Sequence, residues 1–542
     1  MPGSCFIVLK LLNAFEANNV LASQLPIQLP YPDLISHMRT VSEMIALVLF
    51  LGIVTYLFMR MWLQRRKLPP GPFPLPLIGN LHQLGYTMFI CKKPFVAAIK
   101  EFTKEYGSVH TFWFGPMPTV NICDYTTAVD AMVKKGSAFA NRNMPYLFNL
   151  TRNGRGIIAS NGPPWLEQRR FALHTLRNFG LGRNIIEERI MYEFEITCEE
   201  LERRLDAGES SINPDMMFDL LVGNIINRML FTDRFEKDEE RFFALKRELD
   251  KMMDNFTLLD MLIDEWSVNL PLIKQRTEHL LKPLEEVLAF IRAQIEQRKK
   301  DIADGIHVIE GEGGDFVDAF LVQMKKDQNS DAPSTFDEKW LEMSLLDLWA
   351  AGQETTMVTL NWAFTYLLLH PQVKSRVEEE LLSITKGQRP LSITDRPNTP
   401  YYNATLSEIH RCAIIVPLNL WRDTSEDTVV GPYLIPKGTA ITAQISAIMN
   451  DEVYFKNNDE FNPDRYFTGD RVEQMVVPFG LGKRACPGES LAQAELYLMI
   501  ANFLLRYEVT ADPEHMPSMR ARKELGTARM APSYHICFKK RQ

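Results

Sequence analysis

The chain of 542 residues predicts a mainly α-helical protein with a minor β part, preceded by one N-terminal membrane-spanning helix. Three observations carry this expectation. Glu187–Leu205, Asp238–Met253 and Lys282–Lys300 set charged residues against apolar ones with the helical period. Ser108–Phe114 and Thr119–Cys123, joined around Gly115-Pro116-Met117-Pro118, read as a β-hairpin. Met44–Met59 is almost entirely apolar, and Arg60, Arg65, Arg66 and Lys67 follow it at once. With 46% apolar residues a large core is available, and a net charge of −8 offers no basic stripe for nucleic acid. Seven cysteines without a C-x-x-C or a dense framework argue for a reducing compartment, and against disulfide stapling or zinc.

In chain order, residues 1–40 form a leader to which the sequence assigns no role. Cys5–Leu12 is too short to span a bilayer, and the Pro-dotted Leu25–Pro32 should be irregular. Residues 41–63 reach the ~20 residues a spanning helix needs, with Glu43 and Arg60 near the two interfaces. No A-x-A-like cleavage site ends the run, so the helix reads as an uncleaved anchor with its C-terminal side in the cytosol. Residues 64–80 are a basic, Pro-rich hinge whose Pro69–Pro76 stretch favours stiff, extended backbone. Residues 81–542 are the globular domain. Gly305–Gly314 and Lys325–Glu338 read as loops, Asp337–His370 as a long helix stopped by Pro371, and Glu489–Leu505 as a helix.

The chemistry centres on Phe479–Gly488, where Cys486 sits in a glycine-punctuated loop just before the last of these helices. Backbone N–H groups and the positive end of that helix favour a thiolate. A lone thiolate suits a single-ligand metal site better than four-coordinate zinc, and haem iron with an axial cysteine is the best-known such case. A bare G-x-R-x-C would fit an inert buried cysteine equally well. Trp165 and Arg169 lie four residues apart, on one helix face, where an indole N–H and a guanidinium can reach one anion. Gly352, within Ala350–Thr356, costs roughly 1 kcal/mol in a helix interior and calls for a packing or functional reason. The Thr355 hydroxyl can bond the carbonyl of Ala351 and open a groove there. Glu408 and Arg411 spell E-x-x-R, but so do the unremarked Glu200 and Arg203.

Taken together and in order, these stretches resemble the cytochrome P-450 family over roughly residues 68–540. Phe479, Gly482, Arg484, Cys486 and Gly488 match its haem-binding loop, F-x-x-G-x-R-x-C-x-G, and Ala351–Thr356 matches its oxygen-activation motif. Phe461–Tyr466 is similar to F-x-P-x-R-[FY], and Pro69–Pro72 to the hinge of its microsomal, drug- and lipid-oxidising branch. The resemblance implies haem b (iron-protoporphyrin IX) with Cys486 as axial thiolate and metal ligand. Trp165, Arg169, Arg422 and Arg484 would hold its propionates. Glu354 would relay protons and Thr355 steady the activated oxygen, while Glu408, Arg411 and Arg465 would form a buried structural triad.

The activity implied is insertion of one oxygen atom from O2 into a lipophilic fatty acid, steroid or xenobiotic. No G-x-G-x-x-G opens a nucleotide-binding unit, so NADPH would act indirectly, through a separate flavoprotein reductase, with cytochrome b5 as a further carrier. The location implied is the endoplasmic reticulum membrane, single-pass, with the domain on the cytosolic face. Asn149, Asn255 and Asn403, each in an Asn-x-Thr site, would then stay unglycosylated. A haem-thiolate sensor and a peroxide-rearranging enzyme of the same fold are the alternatives; the acid–alcohol pair of Glu354 and Thr355 speaks against both. Pro487 departs from the expected pattern: it has no N–H, so one donor to the sulfur is missing and a more electron-rich sulfur is expected.

Overall fold

Secondary structure follows from where the apolar faces and breakers fall, and most of it is helical. The computed structural model describes residues 32–179, 184–236, 240–328, 334–417, 419–523 and 528–541. The longer helices are α1 (Pro32–Arg65), α2 (Phe95–Tyr106), α3 (Gly162–Asn178), α4 (Asn184–Asp206), α5 (Asp215–Phe231) and α6 (Glu240–Asn255). They continue with α7 (Pro271–Ala303), α8 (Phe316–Gln328), α9 (Glu338–Leu369), α10 (Pro371–Thr385), α11 (Pro400–Ala413) and α12 (Glu489–Arg506).

The strands are short. The predicted hairpin is β1 (Val109–Phe114) and β2 (Met117–Ile122), in antiparallel register from Val109 opposite Ile122 to Phe114 opposite Met117. Gly115 and Pro116 alone make the turn, so Met117 and Pro118 belong to the strand and not to the connection. β3 (Asn141–Arg142), β5 (Arg422–Asp423) and β8 (Ala440–Ala443) complete a sheet ordered β1-β2-β8-β5-β3, with β2 and β8 parallel. β4 (Ser211–Ile212), β9 (Tyr507–Ala511) and β10 (Ile536–Lys540) form a second sheet, and β6 (Thr428–Val430) pairs with β7 (Tyr433–Ile435).

α9 is the axis of the main core. Almost every residue from Trp340 to Leu368 is buried, and the helix packs on α5, α7, α11 and α12. Its ends are set as the sequence predicts. Asp337 caps the start by accepting from the Trp340 N–H at 2.7 Å, and Pro371 opens the next helix directly after the His370 cap. α7 differs from expectation, beginning eleven residues before Lys282 and carrying Pro283 inside it. A proline there removes one ladder hydrogen bond, but Leu280, Leu284, Val287, Leu288, Ile291 and Ile295 are all buried around it, and that packing holds the helix through the break. α8 likewise runs to Gln328, into the segment expected to be loop.

α1 contains the apolar stretch expected to span a membrane: Thr40–Arg65 is long and apolar enough to do so, with mean hydropathy 2.2, and none of its apolar window is covered by protein. The helix begins at Pro32, ahead of the expected boundary; the leader up to residue 31 lies outside the described residues. The hinge is bound to the domain. Thr111 donates its N–H to Pro70 O and its hydroxyl to Pro69 O, both at 2.8 Å. Arg65 Nη2 donates to Gly71 O at 2.8 Å. Gly71 lies so close to β1 that a Cβ would stand 1.9 Å from Thr111 O. Gly71→Ala is therefore expected to lift the hinge off β1. Limited proteolysis should show new cleavage between residues 66 and 80, with the rest of the domain still resistant.

Candidate active site

The cysteine loop is shaped by backbone contacts. Gly480 and Gly482 have φ of +77° and +71°, and a Cβ on Gly482 would lie 1.8 Å from Met132 O, so only glycine permits this approach. The Cys486 N–H closes the loop on Phe479 O at 2.8 Å. Cys486 keeps accessible surface although protein surrounds it on most sides. Burial pushes the thiol pKa up; the N–H groups of Gly488 and Glu489 at the start of α12, and Arg169, pull it back only partly. The helix-end donors expected from the sequence are present and oppose the effect of burial.

Around this loop four guanidiniums converge. Arg169 donates to Ala485 O at 2.5 Å. Arg484 stacks on the Trp165 ring, 3.6 Å from its centroid, and donates to Ala140 O and Ser160 O at 2.6 Å. Arg422 donates to Leu481 O at 2.6 Å, and Arg142, opposite it across β3 and β5, donates to Leu420 O at 2.9 Å. None of the four has a carboxylate partner among the described residues. Burial, then mutual repulsion, lowers Arg142 to about 9, Arg422 to about 10 and Arg484 to about 8, and burial lowers Arg169 as well. The Trp165 indole N–H and Arg142 Nε are buried without a partner. Such a cluster is costly unless an anion completes it. Arg142 is the member that sequence reading missed; no spacing marks it, and only the register of two two-residue strands reveals it.

On α9, the Thr355 hydroxyl donates to Ala351 O at 2.8 Å, as predicted. Ala351 is exposed in the middle of this buried helix, so the helix opens to a space at that turn. Gly352 has its packing reason: a Cβ would sit 2.7 Å from Cδ1 of Ile226 on α5. Glu354 is fully inside and goes elsewhere, its Oε1 lying 3.1 Å from the Lys246 ammonium of α6. Thr356 donates to Glu495 of α12 at 3.0 Å, and burial raises that carboxyl to about 8, making it a neutral acid at neutral pH. Neither Lys246 nor Glu495 stood out in the sequence.

The expected triad is assembled. Glu408 and Arg411 have no exposed surface; Arg411 Nε and Nη2 donate to the two carboxylate oxygens at 2.8 Å, and Arg465 Nε donates at 2.9 Å. The Tyr466 hydroxyl at 3.0 Å and the Asn462 N–H at 2.9 Å complete the carboxylate's shell. Arg411 also donates to Asn458 O and Glu460 O at 2.8 and 2.9 Å, which ties the segment leading to Arg465 onto α11. Glu200 and Arg203, with the same spacing, form only a surface pair.

An accessible sulfur with two helix-end N–H donors, a helix turn opened at Ala351, and four cations needing two negative charges fit a flat, dianionic iron cofactor with a sulfur ligand. The comparisons agree. The family profile described as Cytochrome P450 matches residues 69–538. A probable cytochrome P450 of Caenorhabditis elegans, cyp-35D1, is 38% identical over 470 residues, covering 86% of this chain and 94% of its own. Human cytochrome P450 2C8 is 33% identical, with 91% and 98% covered, and rat cytochrome P450 2B2 is 31% identical, with 92% and 99% covered. The chain belongs to the cytochrome P450 family. It is a haem monooxygenase, with the thiolate-ligated haem that this family implies.

Removing one partner of a buried ion pair costs about 3–5 kcal/mol. Arg411→Ala, which strands Glu408, is expected to lower stability by about that amount in chemical denaturation, while Arg203→Ala on the surface changes it by less than ~0.5 kcal/mol.

Proposed function

We propose that this monooxygenase inserts one oxygen atom from O2 into a lipophilic substrate of the fatty acid, steroid or xenobiotic class. Its electrons come from NADPH through a separate flavoprotein reductase, with cytochrome b5 as a further donor. The reading is supported by the α9 turn opened at Ala351 and Thr355 and by the accessible Cys486 in its glycine loop. When bound, haem b supplies the activation of O2 and the transfer of one of its atoms. Cys486 would ligate its iron through the sulfur. Arg142, Arg169, Arg422, Arg484 and the Trp165 N–H would hold its two propionates, pairing for which the planar guanidinium is suited. Thr355 would offer its hydroxyl as a hydrogen-bond donor at the reaction site, and Glu354 would be the carboxyl group that supplies protons. Glu408, Arg411 and Arg465 keep the loop before Cys486 in place.

Residues 41–63 anchor the chain in the endoplasmic reticulum membrane, residues 64–80 connect, and residues 81–542 form the catalytic domain on the cytosolic face. The cations of the positive-inside flank support that orientation. Lys483 is exposed beside the cysteine loop and reaches Ser137 Oγ at 2.7 Å. Lys134 and Lys135, which share Asp130 as an ion-pair partner and so leave a net positive charge, are exposed near it, next to the Met132 backbone that the loop touches. Together they offer an acidic reductase a positive face, and association steered in this way weakens as salt rises.

Thr355→Ala is expected to keep NADPH consumption while product falls by roughly 100-fold, the scale of a lost positioned proton-transfer group. Unchanged product would favour peroxide rearrangement, and an absence of substrate-dependent NADPH use in the native protein would favour a sensor. Pro487→Leu restores a backbone N–H beside the sulfur. It is expected to raise the iron potential by roughly 20–60 mV in a spectroelectrochemical titration, the equivalent of one net hydrogen bond on a one-electron couple.

A further inference from the structure

The sheet of β4, β9 and β10 carries, directly beyond the paired residues Ala511 and Ile536, a side-chain cluster that the haem chemistry does not use. Asp512 follows the last residue of β9, His515 comes one turn later, His535 precedes the first residue of β10, and Ser211 opens β4. The backbone holds the first three in a closed ring. His515 N–H donates to Asp512 O and His535 N–H to His515 O, both at 3.1 Å, and Asp512 N–H donates to His535 O at 3.3 Å.

The side chains converge as well. His515 Nδ1–H donates to Asp512 Oδ2 at 2.8 Å, and His535 Nδ1 lies 3.8 Å from the same oxygen. The Ser211 hydroxyl donates to Oδ2 at 2.6 Å and is 3.0 Å from His535 Nδ1. The two imidazoles lie face to face, with centroids 4.0 Å apart and planes 17° from parallel. Glu514 N–H fixes the other carboxylate oxygen, Oδ1, at 3.0 Å. Hydrogen bonds from Ser211 and His515 hold the Asp512 carboxyl down at about 2, so it is ionised. Asp512 is buried, His535 half-buried and His515 exposed, which leaves the cluster open to solvent on the His515 side.

Two imidazole nitrogens and one carboxylate oxygen suit a borderline divalent ion and are a poor set for magnesium or calcium, which want oxygen alone. One donor atom from each residue lies within 4.8 Å of the others. Tetrahedral zinc, with bonds of about 2.0–2.2 Å, wants its donors ~3.3 Å apart. The 2.8 and 3.8 Å separations from Oδ2 stand on either side of that value. An ion at this point satisfies Oδ2 and both nitrogens at once, and each ring then carries its proton on Nε2 and stays neutral.

We propose that Asp512, His515 and His535 bind a divalent cation of the zinc class, with water in the fourth position, and that this ion pins the two ends of the connection between β9 and β10. The connection is braced on other parts of the fold. Lys523 donates to Met253 O and Asp254 O of α6 at 2.8 and 3.0 Å. Arg529 N–H donates to Ile415 O, just beyond α11, at 2.8 Å, and the Trp362 indole N–H of α9 donates to Arg529 O at 3.0 Å. A cation at the base of this segment steadies those contacts.

The test is zinc chloride titrated calorimetrically into the full-length, haem-loaded protein, freed of metal by chelator and carrying no histidine tag. The native protein should bind one zinc more than His515→Gln or His535→Gln. His174→Gln, which removes a surface ring beside a single carboxylate, Glu312, should keep the site. Zinc K-edge X-ray absorption should show two imidazole nitrogens at about 2.0–2.1 Å. With zinc at 100 times its dissociation constant, the opening that separates the ligands should become about 100-fold rarer. Hydrogen exchange over residues 507–516 and 530–540 reads that change. Should His535→Gln not fold, Asp512→Asn replaces it and is read in the same way. Retention of the site in His515→Gln, or zinc-dependent protection equal in native protein and variant, overturns the proposal.

Discussion

The constraint on which the rest of the structure depends is the burial of four guanidiniums that have carbonyls, the Met132 sulfur and an aromatic ring, but no carboxylate among the described residues, for company. Arg142, Arg169, Arg422 and Arg484 come from β3, α3, β5 and the cysteine loop, so their convergence fixes how four separate parts of the chain meet. Their lowered pKa values express the mutual cost of that meeting. A dianionic cofactor turns the cost into an attraction, since each propionate can accept bidentate pairs in a site of low dielectric. Binding of such a group then stabilises the folded chain by mass action. It also joins the helical part to the sheet that carries β3 and β5.

The second constraint is the approach of the cysteine loop to its neighbours. Gly482 lies against the Met132 backbone, Arg422 reaches Leu481 O, and Lys483 reaches Ser137, so the loop is held from the β side. From the helical side, Phe479 packs edge-on against His410 on α11, whose neighbours Glu408 and Arg411 carry the triad. A carboxylate shared by two arginines and a tyrosine is expensive to desolvate, and an apolar packing of the same volume would serve stability equally well. What the ion cluster adds is direction. It accepts hydrogen bonds from specified donors only, and so sets the path of residues 458–466, which lead into the loop.

Much of this was legible in the sequence, because the informative residues are close together along it. The Cys486 loop, the Trp165–Arg169 pair and the Thr355 bond to Ala351 are local, and helical or loop geometry follows from spacing. The triad was legible through order, with Glu408, Arg411 and Arg465 preceding the loop. What escaped were contacts made across long separations by residues with no local signature. Arg142 meets Arg422 through strand register, Lys246 meets Glu354 across three packed helices, and Glu495 meets Thr356 at the crossing of α9 and α12. The hinge misled in a similar way: its prolines announce extended backbone, but Gly71 and the Thr111 hydrogen bonds, which fasten it to β1, are tertiary. In α7, Pro283 reads locally as a break, and only the burial on either side of it shows why the helix continues.

These long-range contacts give the two sides of the Ala351–Thr356 turn opposite electrostatic characters. On the α12 side Glu495 is neutral, takes the Thr356 hydroxyl, and leaves one oxygen without a partner. On the α5 and α6 side Glu354 shares a permanent cation with two other acids, one of them reaching solvent. One face of α9 is thus packed against a neutral acid and the other against a charged cluster that reaches the surface at Asp250.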